Sequence, residues 1–259
     1  MPWSGPAGSA RRVAPLLTRE WPRLRDARRA YVDAIFGRIA PRYDMLTRVL
    51  SFGQDRRWKE QAIDRLPAAR AGGAILDLAT GTAELSLLAR ERGRPERVVA
   101  VDRSRSMLAR GRAKAAAARA EGIHFVTGDL NAVPVAPESF DAVLIGYGLR
   151  YPIDLRAALA GMHRALRPGG VLVTLDFGVP RNPLLRRLLH GYLLAMGTVW
   201  GALLHGKPGT YWHIVESLRA YPGQRGLARM MEEIGFERVT VEERLGGAAA
   251  IVCGARVRA

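Results

Sequence analysis

Apolar and polar positions change their period repeatedly between residues 74 and 178. Five short, nearly continuous apolar runs read as strands buried on both faces: "AILDLA" (74–79), "RVVAVD" (97–102), "IHFVTGD" (123–129), "AVLIGYG" (142–148) and "GVLVTLDFG" (170–178). Stretches with helical spacing lie between them at 84–93, 104–120 and 154–166. Ser104 and Asp154 stand where the second and third need N-caps, and the third closes before "RPGG". This alternation predicts an α/β fold with a doubly wound, mostly parallel sheet. Two more strand candidates, about 237–243 and 248–256, suit an antiparallel pair at the end of the chain.

The flanks read differently. Residues 1–30 carry Pro, Gly, Ser and Arg without a clear period and lack the apolar core of a secretory signal, so a loosely ordered, basic extension is expected there. Residues 31–259 are expected to form a single domain, a common length for the α/β class. Within it, 180–222 is expected to be a helical insertion covering the active site. Its apolar run from Leu188 to Leu204 is 17 residues long, at the short limit for crossing a bilayer, and holds His190 and three glycines. A covering helix or an interfacial element fits that run better than a span. "LLRRLL" would then set Arg186 and Arg187 at lipid headgroups.

A formal charge of +16 suits an anionic partner. The basic residues are nearly all arginine and are spread along the chain, with one local cluster, "RLRDARR" (23–29), so a solvated surface or a weak preference for an anionic lipid surface is the expectation. The lone Cys253 excludes an internal disulfide and reads as a small buried hydrophobe. The five histidines show no paired metal-ligand spacing, and no metal is implied.

The loop "ILDLATGTAE" (75–84) carries the candidate chemistry. A pyrophosphate-binding turn calls for three glycines at fixed spacing. Here only Gly81 is glycine, Ala79 and Ala83 keep the other positions small, and Asp77 and Glu84 would repel a doubly anionic group. Carboxylates at this turn favour a nucleotide that carries an ammonium and a sulfonium, which S-adenosylmethionine does. Asp102, closing the second strand, stands where an acid reaches ribose hydroxyls, and Asp129, after the third, could accept from an adenine amino group.

With these residues in view, the chain resembles the ubiquinone/menaquinone biosynthesis C-methyltransferase family of class I S-adenosylmethionine-dependent methyltransferases. The resemblance covers roughly residues 31–257 and is carried by "IFGRIAPRYDMLTRVLSFGQDRRWK" (35–59), "LDLATGTAE", "GYGLRY" (146–151), "ALRPGGVLVTLDFGVP" (165–180) and "GTYWHIVESLRAYPGQ" (209–224). It implies a seven-stranded sheet with helices on both faces and a reversed last strand. It also implies cofactor contacts from Asp77, Ala79, Gly81, Thr82, Asp102, Arg103, Asp129, Leu130 and Gly146, the last standing in place of a family serine. Further departures are Ala83 for a glycine, Thr47 for an asparagine, Tyr151 for the asparagine of "GLRN", and Gly209 for the aspartate of "DSY".

The implied reaction is C-methylation of a prenylated quinol, either demethylmenaquinol or a 2-polyprenyl-benzoquinol, in quinone biosynthesis. A relative acting on another phenolic or polyketide-like molecule is the alternative. A ring carbon accepts a methyl group once its hydroxyl is deprotonated, so the pocket must orient the ring and stabilise a phenolate. Arg150 is the candidate for that stabilisation, and Tyr43, Tyr211 and His213 are candidates for ring contact and proton movement. A nucleic-acid methyltransferase would be expected to carry a base-binding tetrad after the fourth strand, where "GYGLRY" stands, so no nucleic-acid partner is expected. The remaining expectations are a cytoplasmic protein at the inner face of the membrane, weak peripheral association with that membrane, and a homodimer.

Overall fold

The computed structural model describes residues 25–68, 73–93 and 95–257. Its strands are β1 (Ala74–Leu78), β2 (Arg97–Asp102), β3 (Ile123–Thr127), β4 (Phe140–Gly146), β5 (Leu166–Phe177), β6 (Phe236–Arg244) and β7 (Ala249–Arg256). Its helices are α1 (Arg25–Ile39), α2 (Tyr43–Leu50), α3 (Asp55–Ile63), α4 (Glu84–Glu91), α5 (Arg105–Ala117), α6 (Leu155–Ala165), α7 (Pro183–His205), α8 (His213–Ala220) and α9 (Gly223–Ile234).

The strands form one seven-stranded sheet in the order β3-β2-β1-β4-β5-β7-β6. All neighbouring pairs are parallel except those made by β7, which runs antiparallel to β5 and β6. The terminal antiparallel pair and the doubly wound sheet therefore stand as the hydrophobic pattern implied. The central strands are mostly apolar because both faces are covered. Leu144, Val173, Leu175 and Ile251 pack toward α1–α4, α7 and α8, while Val143, Ile145, Leu172 and Val252 pack toward α6 and α9.

Element ends show where local chemistry overrides pattern. The Ser104 side chain caps α5, accepting from Met107 N at 3.3 Å, and Asp154 caps α6, accepting from Ala157 N at 2.9 Å. The helix expected over 104–120 stops at Ala117, and Arg119 then takes a left-handed φ of 50° that breaks the alanine-rich run. "RPGG" does not interrupt β5: the strand begins at Leu166, and its pairing with β4 absorbs the extra residues in a register shift between Phe140 and Ala142.

The loosely ordered extension expected over 1–30 falls largely outside the described residues, as do Arg23 and Leu24 of the arginine cluster. Residues 25–30, however, are helical and open α1. Cys253 is buried in β7, where desolvation pushes its thiol up to about 11. Among the described residues one helix, α7, is long and apolar enough to cross a membrane, with a mean hydropathy of 1.2. One face of α7 packs on the core through Leu189, Tyr192, Leu193, Met196 and Trp200. Its other face leaves Leu184, Leu188, Leu194, Val199 and Leu203 exposed, Leu203 by 71%.

Replacing Asp154 by alanine removes the α6 cap and leaves an orphan amide. Urea denaturation of Asp154→Ala should show a loss of about 1 kcal/mol with an unchanged m-value.

Candidate active site

The C-terminal edge of the parallel strands is where loops diverge and a ligand can enter. The loop after β1 folds back through three left-handed residues, Ala79 (φ 50°), Gly81 (φ 57°) and Ala83 (φ 63°). Only the second is glycine, so two alanines carry a conformation that costs a residue with a Cβ roughly 1–2 kcal/mol each. Neighbours hold the loop. Asp102, at the end of β2, accepts from Gly81 N and Ser104 N, both at 2.8 Å. The close approach of the β4 loop needs Gly148, because a Cβ there would stand 2.7 Å from Ala79 Cβ.

Two abutting cavities open at this edge. The outer one, about 840 Å³ with its open mouth, is lined by Ala79, Gly81, Asp102, Arg103, Asp129, Leu130 and Gly146 among others. The inner one, about 370 Å³ including open solvent, lies under α1, α2 and the start of α8, and is lined by Leu46, Leu50, Arg150, Phe177, Tyr211 and His213 among others. Phe36, Tyr43, Tyr147 and Tyr151 border both. α7 lines neither cavity; the segment expected to cover the site contributes Tyr211, His213 and Ile214 instead.

Seven of the nine residues expected at the cofactor thus line one cavity. Asp77 and Thr82 do not. Asp77 is fully buried, accepts from Thr80 Oγ1 at 2.6 Å and Ser86 Oγ at 2.5 Å, and is pushed up to about 6 by desolvation. Thr82 Oγ1 donates to Asp44 of α2 at 2.5 Å and accepts from Lys114 Nζ at 3.1 Å. The electrostatic argument from Asp77 and Glu84 is corrected accordingly. Lys59 Nζ bonds Glu84 at 2.6 Å and Lys114 lies 3.4 Å from it, so the Glu84 charge is spent on neighbours. Burial works against that charge, but the two lysines outweigh it and hold Glu84 below the usual carboxylate range.

The acids that do face the outer cavity are Asp33, Asp102 and Asp129, interleaved with Arg28, Arg29 and Arg103. Arg103 grips Asp33 of α1 with Nη2 at 2.6 Å and Asp129 with Nη1 at 2.5 Å. Asp129 lies beyond the end of β3, and its other oxygen accepts from Asn131 N and Nδ2 at 2.9 and 2.7 Å. Both its oxygens, like those of Asp102, are engaged within the protein, and a carboxylate has lone pairs left for a further donor. At Gly146 a Cβ would stand 2.7 Å from Leu85 Cδ1, so the serine that the family resemblance places there would require the end of the Leu85 side chain to move.

The inner cavity is aromatic with one buried cation. Arg150, 4% exposed, donates from Nε to Asp176 Oδ1 and from Nη1 to Ser217 Oγ, each at 2.6 Å. Burial opposes its charge, and the Asp176 carboxylate more than offsets that, keeping Arg150 protonated. Desolvation raises the phenols of Tyr43 and Tyr151 above their ordinary value, and pushes Tyr211 up to about 12, so all three keep their protons. Tyr211 Oη pairs with His205 Nε2 at 2.7 Å. Sequence reasoning did not find Phe36, Tyr147, Asp176 or Ser217. It also missed Asp55, which accepts from Tyr147 Oη at 2.9 Å and pairs with Lys59 at 2.6 Å. The helical spacing of Tyr31, Ile35 and Ile39 was the available signal for α1 and its Phe36.

The ubiE/COQ5 methyltransferase family matches residues 24–256. The chain belongs to this family. It is an S-adenosylmethionine-dependent methyltransferase. A demethylmenaquinone methyltransferase from Thermus thermophilus is 40% identical over 222 residues, covering 86% of this chain and all of that protein. A 2-phytyl-1,4-naphtoquinone methyltransferase from Thermosynechococcus vestitus is 39% identical, covering 85% and 96%. Among solved structures, an S-adenosylmethionine-dependent methyltransferase from Thermotoga maritima shares the fold with a TM-score of 0.60 at 20% identity, covering 86% of this chain and 99% of that one. Phosphoethanolamine N-methyltransferase 2 from Haemonchus contortus, solved with S-adenosyl-L-methionine, also has a TM-score of 0.60, at 14% identity, covering 78% of this chain and 53% of that one.

The outer cavity fits this cofactor. The carboxylate of Asp102 lies at its strand-end wall, Met107, Leu130 and Ile153 offer an apolar slot for a base, and Gly81 and Gly146 leave room for close approach. Asp102→Ala should weaken S-adenosylmethionine binding by about 1–3 kcal/mol in calorimetric titration, through loss of an acceptor and of the hold on Gly81. Wild-type affinity in that variant would remove Asp102 from the site.

Proposed function

We propose that this chain methylates a ring carbon of a prenylated quinol, demethylmenaquinol or a 2-polyprenyl-benzoquinol, in quinone biosynthesis. The observation that carries the reading is the pair of abutting cavities, the outer suited to the cofactor and the inner walled by aromatic rings around one buried arginine. The names of the Thermus and Thermosynechococcus relatives support the quinol class.

When bound, S-adenosylmethionine supplies an electrophilic methyl group on a sulfonium sulfur. Ala79, Gly81, Asp102, Arg103, Leu130 and Gly146 bind it in the outer cavity. Phe36, Tyr43, Tyr147 and Tyr151 form the shared collar that orients an acceptor ring and excludes water. Arg150, fixed by Asp176 and Ser217, favours negative charge on a ring oxygen in the inner cavity. Tyr211 and His213 complete the wall against the ring. Tyr151, in the collar where the family resemblance places asparagine, supports the second reading, another phenolic acceptor.

Incubation with cofactor and a short-prenyl quinol under reducing conditions, followed by mass spectrometry, tests the reading: a quinol gains one methyl group. No gain on naphthoquinol or benzoquinol, with gain on another phenol, would select the second reading. Removing Arg150 outright would strand Asp176, which in a buried pair costs about 3–5 kcal/mol of stability. Arg150→Lys keeps the charge but cannot bridge Asp176 and Ser217 together. It should lower turnover by about 10²-fold with cofactor affinity nearly intact, and turnover near wild type would return Arg150 to a structural role.

The exposed row on α7 is proposed to rest on an anionic membrane at the cytoplasmic face, where a lipid-borne substrate resides. Arg181, Arg186 and Arg187 are exposed at its N-terminal end, as headgroup contacts require. Leu188→Glu with Leu203→Glu should abolish co-sedimentation with anionic vesicles at low salt while leaving turnover on a soluble quinol unchanged. A doubled mass in light scattering that the same changes halve would assign the face to a second copy instead.

A further inference from the structure

His213 opens α8 on the wall of the inner cavity and is 1% exposed. Its Nδ1 lies 3.0 Å from the carbonyl oxygen of Thr210, which can only accept, so Nδ1 carries the proton. Burial pulls the imidazole down to about 3, so the ring is neutral and Nε2 presents a lone pair. That nitrogen is buried and has no hydrogen-bond partner. Three rings face it, Phe36 and Tyr151, each 6.1 Å away between centroids, and Tyr211 at 6.4 Å, and the Arg150 charge also opposes a second proton on the imidazole.

A buried acceptor left open is costly and calls for a donor from outside the protein fold. The other polar groups lining this cavity differ from it. Arg150 donates equally to a carbonyl or a hydroxyl oxygen, Tyr147 and Thr47 commit their only protons to Asp55 and to the Asp44 carbonyl, Tyr211 pairs with His205, and the phenols of Tyr43 and Tyr151 can donate or accept. Among these lining groups His213 Nε2 alone is a buried polar atom without a partner, and it accepts and cannot donate.

We propose that His213 Nε2 accepts the hydrogen bond of a substrate ring hydroxyl, making His213 the residue that admits the reduced, hydroxyl-bearing ring and turns away the oxidised, carbonyl-bearing one. This rests on reading the inner cavity as the methyl-acceptor site. A quinone oxygen set against Nε2 brings lone pair to lone pair, whereas a quinol satisfies it. The donor requirement also fixes which way the ring faces, since one hydroxyl must turn toward α8.

Two matched pairs of probes test this in the presence of S-adenosylhomocysteine: 1-naphthol against 1-methoxynaphthalene, and a monoprenyl naphthoquinol against its quinone, held anaerobic. The wild type should bind the hydroxyl-bearing member of each pair about tenfold or more tightly. In His213→Phe the ratio should fall to within about twofold, chiefly by loss of the hydroxyl-bearing ligand, while in His213→Gln, whose amide oxygen accepts, a preference should survive. Cofactor affinity and thermal midpoint verify folding. An undiminished ratio in folded His213→Phe overturns the proposal, and so does a wild type without preference, whether or not the phenylalanine variant folds. A naphthol preference that vanishes in His213→Phe, with no methylation of any quinol, upholds the role of His213 and rejects the quinol reading. Quinol methylation with a ratio insensitive to residue 213 does the reverse.

Discussion

The buried pair of Arg150 and Asp176 is the constraint around which the inner cavity is arranged. Neither charge could remain in that environment alone, so the β4 loop and the end of β5 are obliged to meet. Asp176 carries more than the guanidinium: its oxygens also accept from Leu149 N at 3.2 Å and Phe177 N at 2.8 Å, so backbone on both loops is tied to the same carboxylate. Ser217 then brings α8 to the pair, and with it His213 four residues earlier, one turn along the same helix.

A second set of charges joins the covering helices to the cofactor loop. Asp44 of α2 meets Thr82 and Lys114; Asp55 and Lys59 of α3 meet Tyr147 and Glu84; Asp33 of α1 meets Arg103. Each link runs from an N-terminal helix to a residue at or just beyond the C-terminal edge of the sheet or to the helix following it. The walls of the two cavities are thus held by the same contacts, and Tyr147, which faces both, has its hydroxyl anchored in this set.

Much of the fold was legible because buried parallel strands must be largely apolar, and β1, β2 and β4 are. β5 was read short since Pro168, Gly169 and Gly170 are ordinarily strand breakers; a register shift in the neighbouring pair, invisible locally, accommodates them. Asp102 was legible from its strand-end place in the pattern, and Gly146 through the family resemblance. Asp77, Glu84 and Thr82 were misjudged for one reason: a side chain's charge and polarity can be read from sequence, but its partner cannot. Their partners, Thr80 and Ser86 excepted, come from distant segments, as do Asp55 for Tyr147 and Arg150 for Asp176. α1 was missed at its start because its first turn is arginine-rich and polar, and only from Tyr31 onward does an apolar spacing emerge.

Gly146 and Leu85 form a contact with historical weight. A side chain at 146 obliges the end of Leu85 to move, since the added carbon would stand 2.7 Å from Leu85 Cδ1. A serine regained at 146 therefore needs a turned Leu85 side chain or a smaller residue at 85. The two positions are therefore coupled: which substitutions this cavity wall accepts at 146 depends on how far the end of Leu85 can turn between β4 and α4.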